Sequence, residues 1–195
     1  MNQGIYGLPP GPPDRGFLTP ISYPGRYFTM PGYSSTVSTL SFSSGFGSVY
    51  PFVIDRKISI NLMGVQITSS NATSTTEIGV YSDGYLGDPY DEGPHRLLFS
   101  GVLDSSTAGS KEFMVSPSFE FTPGLWWAGF AVGGATSVMQ SHLLPSPLRQ
   151  TYAAAPGTDA TYGYGLSASA LPKVFTAARA GNTSGATPRF WWRIA

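Results

Sequence analysis

The 195-residue sequence contains no cysteine. That absence excludes thiolate metal sites, iron–sulfur clusters, thiol catalysis and disulfide cross-links together. It leaves the compartment open, because a chain without thiols is equally stable in oxidising and reducing surroundings. At this length roughly 70% of the unfolded chain's surface can be buried, so no covalent or metal staple is required. Charge is scarce as well: only 11% of residues are charged, against about 25% in an ordinary globular protein. The 11 basic and 11 acidic residues cancel, and Arg56-Lys57 is the only adjacent basic pair. A nucleic-acid surface needs a basic stripe to displace counterions from phosphates, so nucleic acid is not expected as a partner.

Long apolar runs are missing too. From Phe121 to Ser141 there is no charged residue, yet the apolar run extends only from Leu125 to Val132. A membrane helix needs about 20 predominantly apolar residues, so a buried strand is expected and no membrane insertion. The start, Met1 to Pro10, has neither a basic region nor an apolar core, and no signal peptide is expected. The triplets Asn71-Ala72-Thr73 and Asn182-Thr183-Ser184 fit N-glycosylation but carry little meaning without a secretory signal.

What is abundant points to strands. Gly (24) and Pro (17) both break helices, and Ser, Thr, Val and aromatic residues are plentiful. Aromatics make up 14% of the chain, which with low charge describes a durable surface that copies of the chain can cover. Residues 1–25 form a separate extended Pro-rich arm. Pro9, Pro10, Pro12, Pro13, Pro20 and Pro24 impose extended geometry. Ile5, Tyr6, Leu8, Phe17, Leu18, Ile21 and Tyr23 are interspersed with them as partner-binding candidates. A flexible linker would be poorer in apolar residues; a disordered tail is the other reading.

Residues 26–195 read as one β domain with turn signals between strands. Strands are expected over 26–30, 37–42, 49–54, 57–68, 76–81, 96–103, 112–121, 125–132, 161–166 and 189–194. Ile58, Ile60 and Leu62 share one parity while Val65 and Ile67 share the other, so a β-bulge is expected near Met63-Gly64. Phe113, Val115, Phe119 and Phe121 alternate onto one face, and Pro117 on that face should mark an edge or a bulge. Residues 125–132 are apolar on both faces, as in a central strand covered on both sides. The pattern predicts an antiparallel two-sheet β-sandwich of jelly-roll type.

Chemistry is hard to find. His95, after Gly93-Pro94, and His142, before Leu143-Leu144-Pro145, both read as loop histidines, and no G-x-S-x-G elbow exists. Glycoside hydrolysis needs two acids across a cleft, and Glu112 and Glu120 alternate away from the buried face as solvated strand residues. Gly129, Gly133 and Gly134 lack the lysine and helix of a phosphate loop, and no cofactor is expected. The richest acidic stretch runs from Asp83 to His95. Asp83, Asp88, Asp91 and Glu92 can offer oxygen ligands to Ca²⁺, but the spacing is not that of an EF-hand and turns are naturally rich in Asp, Gly and Pro. No metal is assigned. With Tyr85 and Tyr90 the same loop is a candidate for contact with a glycan or a protein. Trp126-Trp127 and Trp191-Trp192 are adjacent pairs, so one member of each should enter the core and the other point out. Trp127 and Trp191 are the outward candidates, lying under another subunit, covering a loop, or forming a sugar-stacking platform.

Taken together, 78–83 (IGVYSD), 97–111 (LLFSGVLDSSTAGSK), 122–130 (TPGLWWAGF), 170–175 (ALPKVF) and 188–194 (PRFWWRI) resemble β-sandwich modules of tailed bacteriophages. Such modules occur as tail-fibre, head-fibre and minor structural proteins, and the resemblance spans roughly residues 26–195. It implies a non-enzymatic virion structural protein, assembled in the host cytoplasm, that self-associates as a homotrimer and docks on capsid or tail proteins. The alternative is a carbohydrate-binding receptor-recognition module of a tail fibre, with host surface glycan as partner. The 83–95 loop is longer than the family's usual "DxxGxPG" turn. With no long shaft expected before the module, a capsid decoration or head-fibre component is expected rather than a complete distal fibre.

Overall fold

The computed structural model describes residues 23–30, 37–69, 71–83, 94–135, 137–143, 164–175, 181–182 and 186–195. Among them are fourteen strands and no helix: β1 (Tyr27–Thr29), β2 (Val37–Phe42), β3 (Phe46–Ile54), β4 (Ile58–Ser69), β5 (Thr75–Ser82), β6 (His95–Phe99), β7 (Leu103–Asp104), β8 (Gly109–Phe121), β9 (Gly124–Gly133), β10 (Ser137–Leu143), β11 (Tyr164–Ser167), β12 (Gly181–Asn182), β13 (Ala186–Pro188) and β14 (Phe190–Ile194). All described pairings are antiparallel and form two sheets. In the first sheet β4 carries β8 on one edge and both β14 and β10 on the other; β1 pairs with β14, and β2 and β13 with β10. The second runs β12-β11-β3-β9-β5-β6, with β7 also on β5. The arm candidates Ile5, Tyr6, Leu8, Phe17, Leu18 and Ile21 lie outside the described residues; Tyr23 is exposed, beside a turn whose Gly25 amide donates to the Ile194 carbonyl.

The two sheets share one core, a β-sandwich-like arrangement. Phe28, Phe42, Ile58, Ile60, Met63, Val65, Ile67, Phe121, Phe190, Trp192 and Ile194 come from the first sheet. Tyr50, Phe52, Ile54, Ile78, Val80, Trp126, Phe130 and Val132 come from the second. The parity switch in β4 is real but sits two residues earlier than expected. Both β8 and β14 skip Asn61, so Met63 joins Ile58 and Ile60 in the core while Leu62 turns to the other face. Leu62 and Met63 are both apolar, and composition alone does not say which of them turns inward.

Pro117 lies where β8 bulges: Ile60 pairs with Phe119 and Leu62 with Met114. β8 has β4 as its only ladder partner among the described residues, so it is an edge strand as well. The expected 96–103 strand is two strands. β6 and β7 both run along β5, and between them Ser100 exchanges hydrogen bonds with the backbone of Ile78. β10, in a stretch where the sequence pattern predicts no strand, ties β2, β4 and β13 together. His142 is therefore a strand residue, and His95 begins β6; neither is a loop histidine.

Candidate interaction surface

Residues opposite one another in a ladder share a face, and the register assembles two rows on the outer face of the first sheet. One row is Tyr27, Arg193, Leu62 and Met114; the next is Thr29, Trp191, Gly64 and Glu112. Gly64, expected at a bulge, is instead a seat. A Cβ there would lie 2.6 Å from Trp191 Nε1 and 2.8 Å from Glu112 Cγ, so the indole and the glutamate stem cross over the glycine. Trp191 Nε1 donates to Glu112 Oε1 at 3.0 Å, which fixes the ring. Arg193 Nε donates to Asn61 Oδ1 at 2.8 Å, and its guanidinium also reaches Met114 Sδ at 3.7 Å. Within this row Leu62 is buried, whereas Tyr27 and Met114 are 53% and 63% exposed.

The outer face of the second sheet is closed by the chain itself. Leu171 and Phe175 pack on Val49, Tyr81, Trp127 and Ala131 to form a second apolar cluster. This segment is held through polar groups of β5 and β6. Buried Glu77 accepts the Leu171 amide at 2.6 Å, Arg96 donates to the Leu171 carbonyl, and Tyr81 donates to the Pro172 carbonyl at 2.8 Å. Arg96 N and Phe175 N add backbone rungs to Lys173 and Pro94. Burial pushes the Tyr81 phenol far above its ordinary value, against the opposing pull of Arg96 and with a smaller push from Glu77, so it stays a donor. Trp127 thus points away from the shared core, as expected, but does not reach solvent. It is 6% exposed, covered by this segment, and its Nε1 donates to Asp83 Oδ1 at 3.3 Å. Of the readings considered for it, coverage by a loop of the same chain is the one realised, and its candidacy as a subunit contact is withdrawn.

Glu77 was invisible in the sequence because its partner lies 94 residues away. Replacing it with Ala leaves the buried Leu171 amide without an acceptor, at a cost of about 1–3 kcal/mol. Urea unfolding should show that loss, with faster amide exchange at Leu171; Glu77→Gln, which keeps an acceptor, should lose less.

Every acidic side chain among the described residues has a structural contact. Glu112 holds Trp191, Glu120 pairs with Lys57, Asp55 with Arg56, and Asp83 and Glu77 act as above. Hydrogen bonds from the side chain and backbone of Ser106 hold the Asp104 carboxyl below the usual carboxylate range. Tyr85, Asp88, Tyr90, Asp91 and Glu92 lie outside the described residues. Among the described residues no group of His, Asp and Glu is placed to hold a metal ion, and no helix is long and apolar enough to cross a membrane. The sequence matches no family model and no curated protein. A second apolar feature lies at the edge of the second sheet. Leu97, Phe99 and Val102 are exposed, Val102 at 67%, and Arg96 lies over the Phe99 ring at 4.0 Å.

Proposed function

We propose that the chain is a non-enzymatic structural module of a bacteriophage particle. In this reading it is carried on the capsid or the tail as a decoration, head-fibre or tail-fibre component. It associates with copies of itself as a homotrimer and docks on other virion proteins, partly through residues 1–25, with its strands connected in jelly-roll fashion. The resemblance of its strand and turn motifs supports the particle assignment. The occupation of each described acid by a structural contact supports a protein that works through its surface rather than by acid–base chemistry.

The observation that carries self-association is the apolar edge at Leu97, Phe99 and Val102. Among the described residues β6 has β5 on one side, and on the other the only rungs are those of 173–175 at its start. Exposed apolar edge strands invite another chain, and soluble proteins ordinarily blunt them with charge. A second copy covering this edge removes both the apolar surface and the open strand.

Native mass spectrometry of the full chain at micromolar concentration should give a trimer. Leu97→Lys with Phe99→Lys should shift it to monomer while the fold persists, and deletion of residues 1–25 should abolish attachment to particles but leave the trimer. A full-length chain that stays monomeric would remove the self-association reading.

A further inference from the structure

We infer that the outer face of the first sheet, centred on Trp191, is a carbohydrate-binding platform. The inference stands on the ladder rows and does not depend on the particle assignment or on self-association through β6.

A pyranose offers one or both ring faces as apolar C–H surface and a rim of hydroxyls. A site for it therefore needs a fixed aromatic plane with hydrogen-bonding groups around it, and little else. Trp191 meets the first requirement. Its indole rests on Gly64, where any larger residue would displace it, and its nitrogen is tied to Glu112. An aromatic ring held in place beforehand loses little conformational entropy when it binds. The second requirement is met along the same two rows. Glu112 and Thr29 flank the ring in its own row, and Arg193 lies in the next, oriented by Asn61. A guanidinium has five donors and a carboxylate several acceptor sites, so Arg193 and Glu112 can engage hydroxyls beyond their present contacts. Tyr27 and Met114 close the two ends of the Arg193 row with exposed apolar surface.

The dimensions favour an oligosaccharide over a second protein. Four strands at about 4.8 Å spacing make the platform roughly 14 Å wide, room for a short stretch of sugar. Among the described residues the apolar side chains that reach solvent here are Tyr27, Met114 and the half-buried Trp191. A stable protein interface takes about 20–30 residues from each side. A flat face with few apolar contacts and interspersed polar groups is poor protein glue, and it suits a ligand that is itself half apolar and half hydroxyl.

The test is a microbial glycan array probed with the full-length chain, followed by titration of the strongest hit with NMR detection of the indole N–H signals. Trp191→Phe assigns its own signal by removing it. Binding should perturb the Trp191 indole signal and leave that of Trp126 in place, and Trp191→Ala should weaken affinity on the order of tenfold. Gly64→Ala, which pushes the ring from its seat, should weaken it comparably. The titration of the unaltered protein decides the matter even if Trp191→Ala does not fold. An array without a hit, or a hit that leaves the Trp191 signal unmoved, would overturn the inference. So would binding that is lost with Tyr85→Ala and Tyr90→Ala but survives Trp191→Ala. None of these outcomes bears on the mass of the assembly, so the two readings fail separately.

Discussion

Trp192→Ala should cost about 3–5 kcal/mol, a large part of the roughly 5–15 kcal/mol that holds a domain together. Trp192 is fully buried on β14 and joins the two sheets. Its ring lies 5.0 Å from Phe52 of the second sheet, and 5.3 Å and 6.0 Å from Phe28 and Phe121 of the first. Truncation removes the apolar payload and leaves a cavity walled by rings anchored on different strands, which cannot all move in together. Trp192→Phe should behave differently. The Trp192 Nε1 atom is buried with no hydrogen-bond partner, and an unsatisfied buried donor costs about 1–3 kcal/mol. Phenylalanine deletes that donor along with some volume, so the two effects oppose and the net cost should stay below about 2 kcal/mol. Urea midpoints of both variants check this. A Trp192→Phe loss approaching that of Trp192→Ala would mean that the indole nitrogen is satisfied in solution and that deleting it costs a hydrogen bond.

The inward role of Trp192 was legible because Phe190, Trp192 and Ile194 alternate at the strand period, with arginines at 189 and 193 on the other parity. β9 was legible for the same reason: one face, with Trp126, Phe130 and Val132, enters the shared core, and the other, with Trp127 and Ala131, enters the second cluster. The pattern announces that both faces are covered but not by what. The cover is the 171–175 segment, which has no strand alternation of its own and is held by Glu77, Tyr81 and Arg96. Those contacts span 75 residues or more, and no local rule reaches that far. The same limit separates the residues of the platform from its geometry. Trp191 could be singled out as an outward aromatic, and Gly64 as an irregular position in a strand. That one seats the other depends on the register of β14 against β4, shifted by the extra residue Asn61, whose place the hydrophobic pattern misjudged by two positions.

Gly134→Ala should destabilise the protein by on the order of 3 kcal/mol, through a backbone contact rather than a lost side chain. β9 ends at Gly133 in the second sheet and β10 begins at Ser137 in the first, so the chain changes sheets within a few residues. Gly134 makes the turn at φ +69°, in the left-handed region. An alanine pays about 1–2 kcal/mol there for its Cβ alone. It would also drive that Cβ onto the carbonyl oxygen of Thr73, in the turn between β4 and β5, with the carbonyl carbon at 2.8 Å. Thr73 has little freedom to yield. The next residue, Ser74, is buried and shares a hydroxyl network with Ser105 and Ser137: Ser74 Oγ and Ser105 Oγ lie 2.9 Å apart, Ser137 bonds to Ser74, and Thr76 Oγ1 donates to Ser105 at 3.1 Å. The Ser105 amide also donates to the Ser74 carbonyl at 3.1 Å. The network thus ties the crossing to two other turns, and a shift of Thr73 pulls on buried polar groups whose only alternative is to go unpaired. Gly101→Ala is the matched comparison, with φ +70° and nothing within 4 Å of the added Cβ, so it should pay the dihedral cost alone. Amide exchange at Ser74 and Ser105 should quicken in Gly134→Ala and stay slow in Gly101→Ala. Equal stability of the two variants would show that the turn at Thr73 gives way freely and that the hydroxyl network does not hold it.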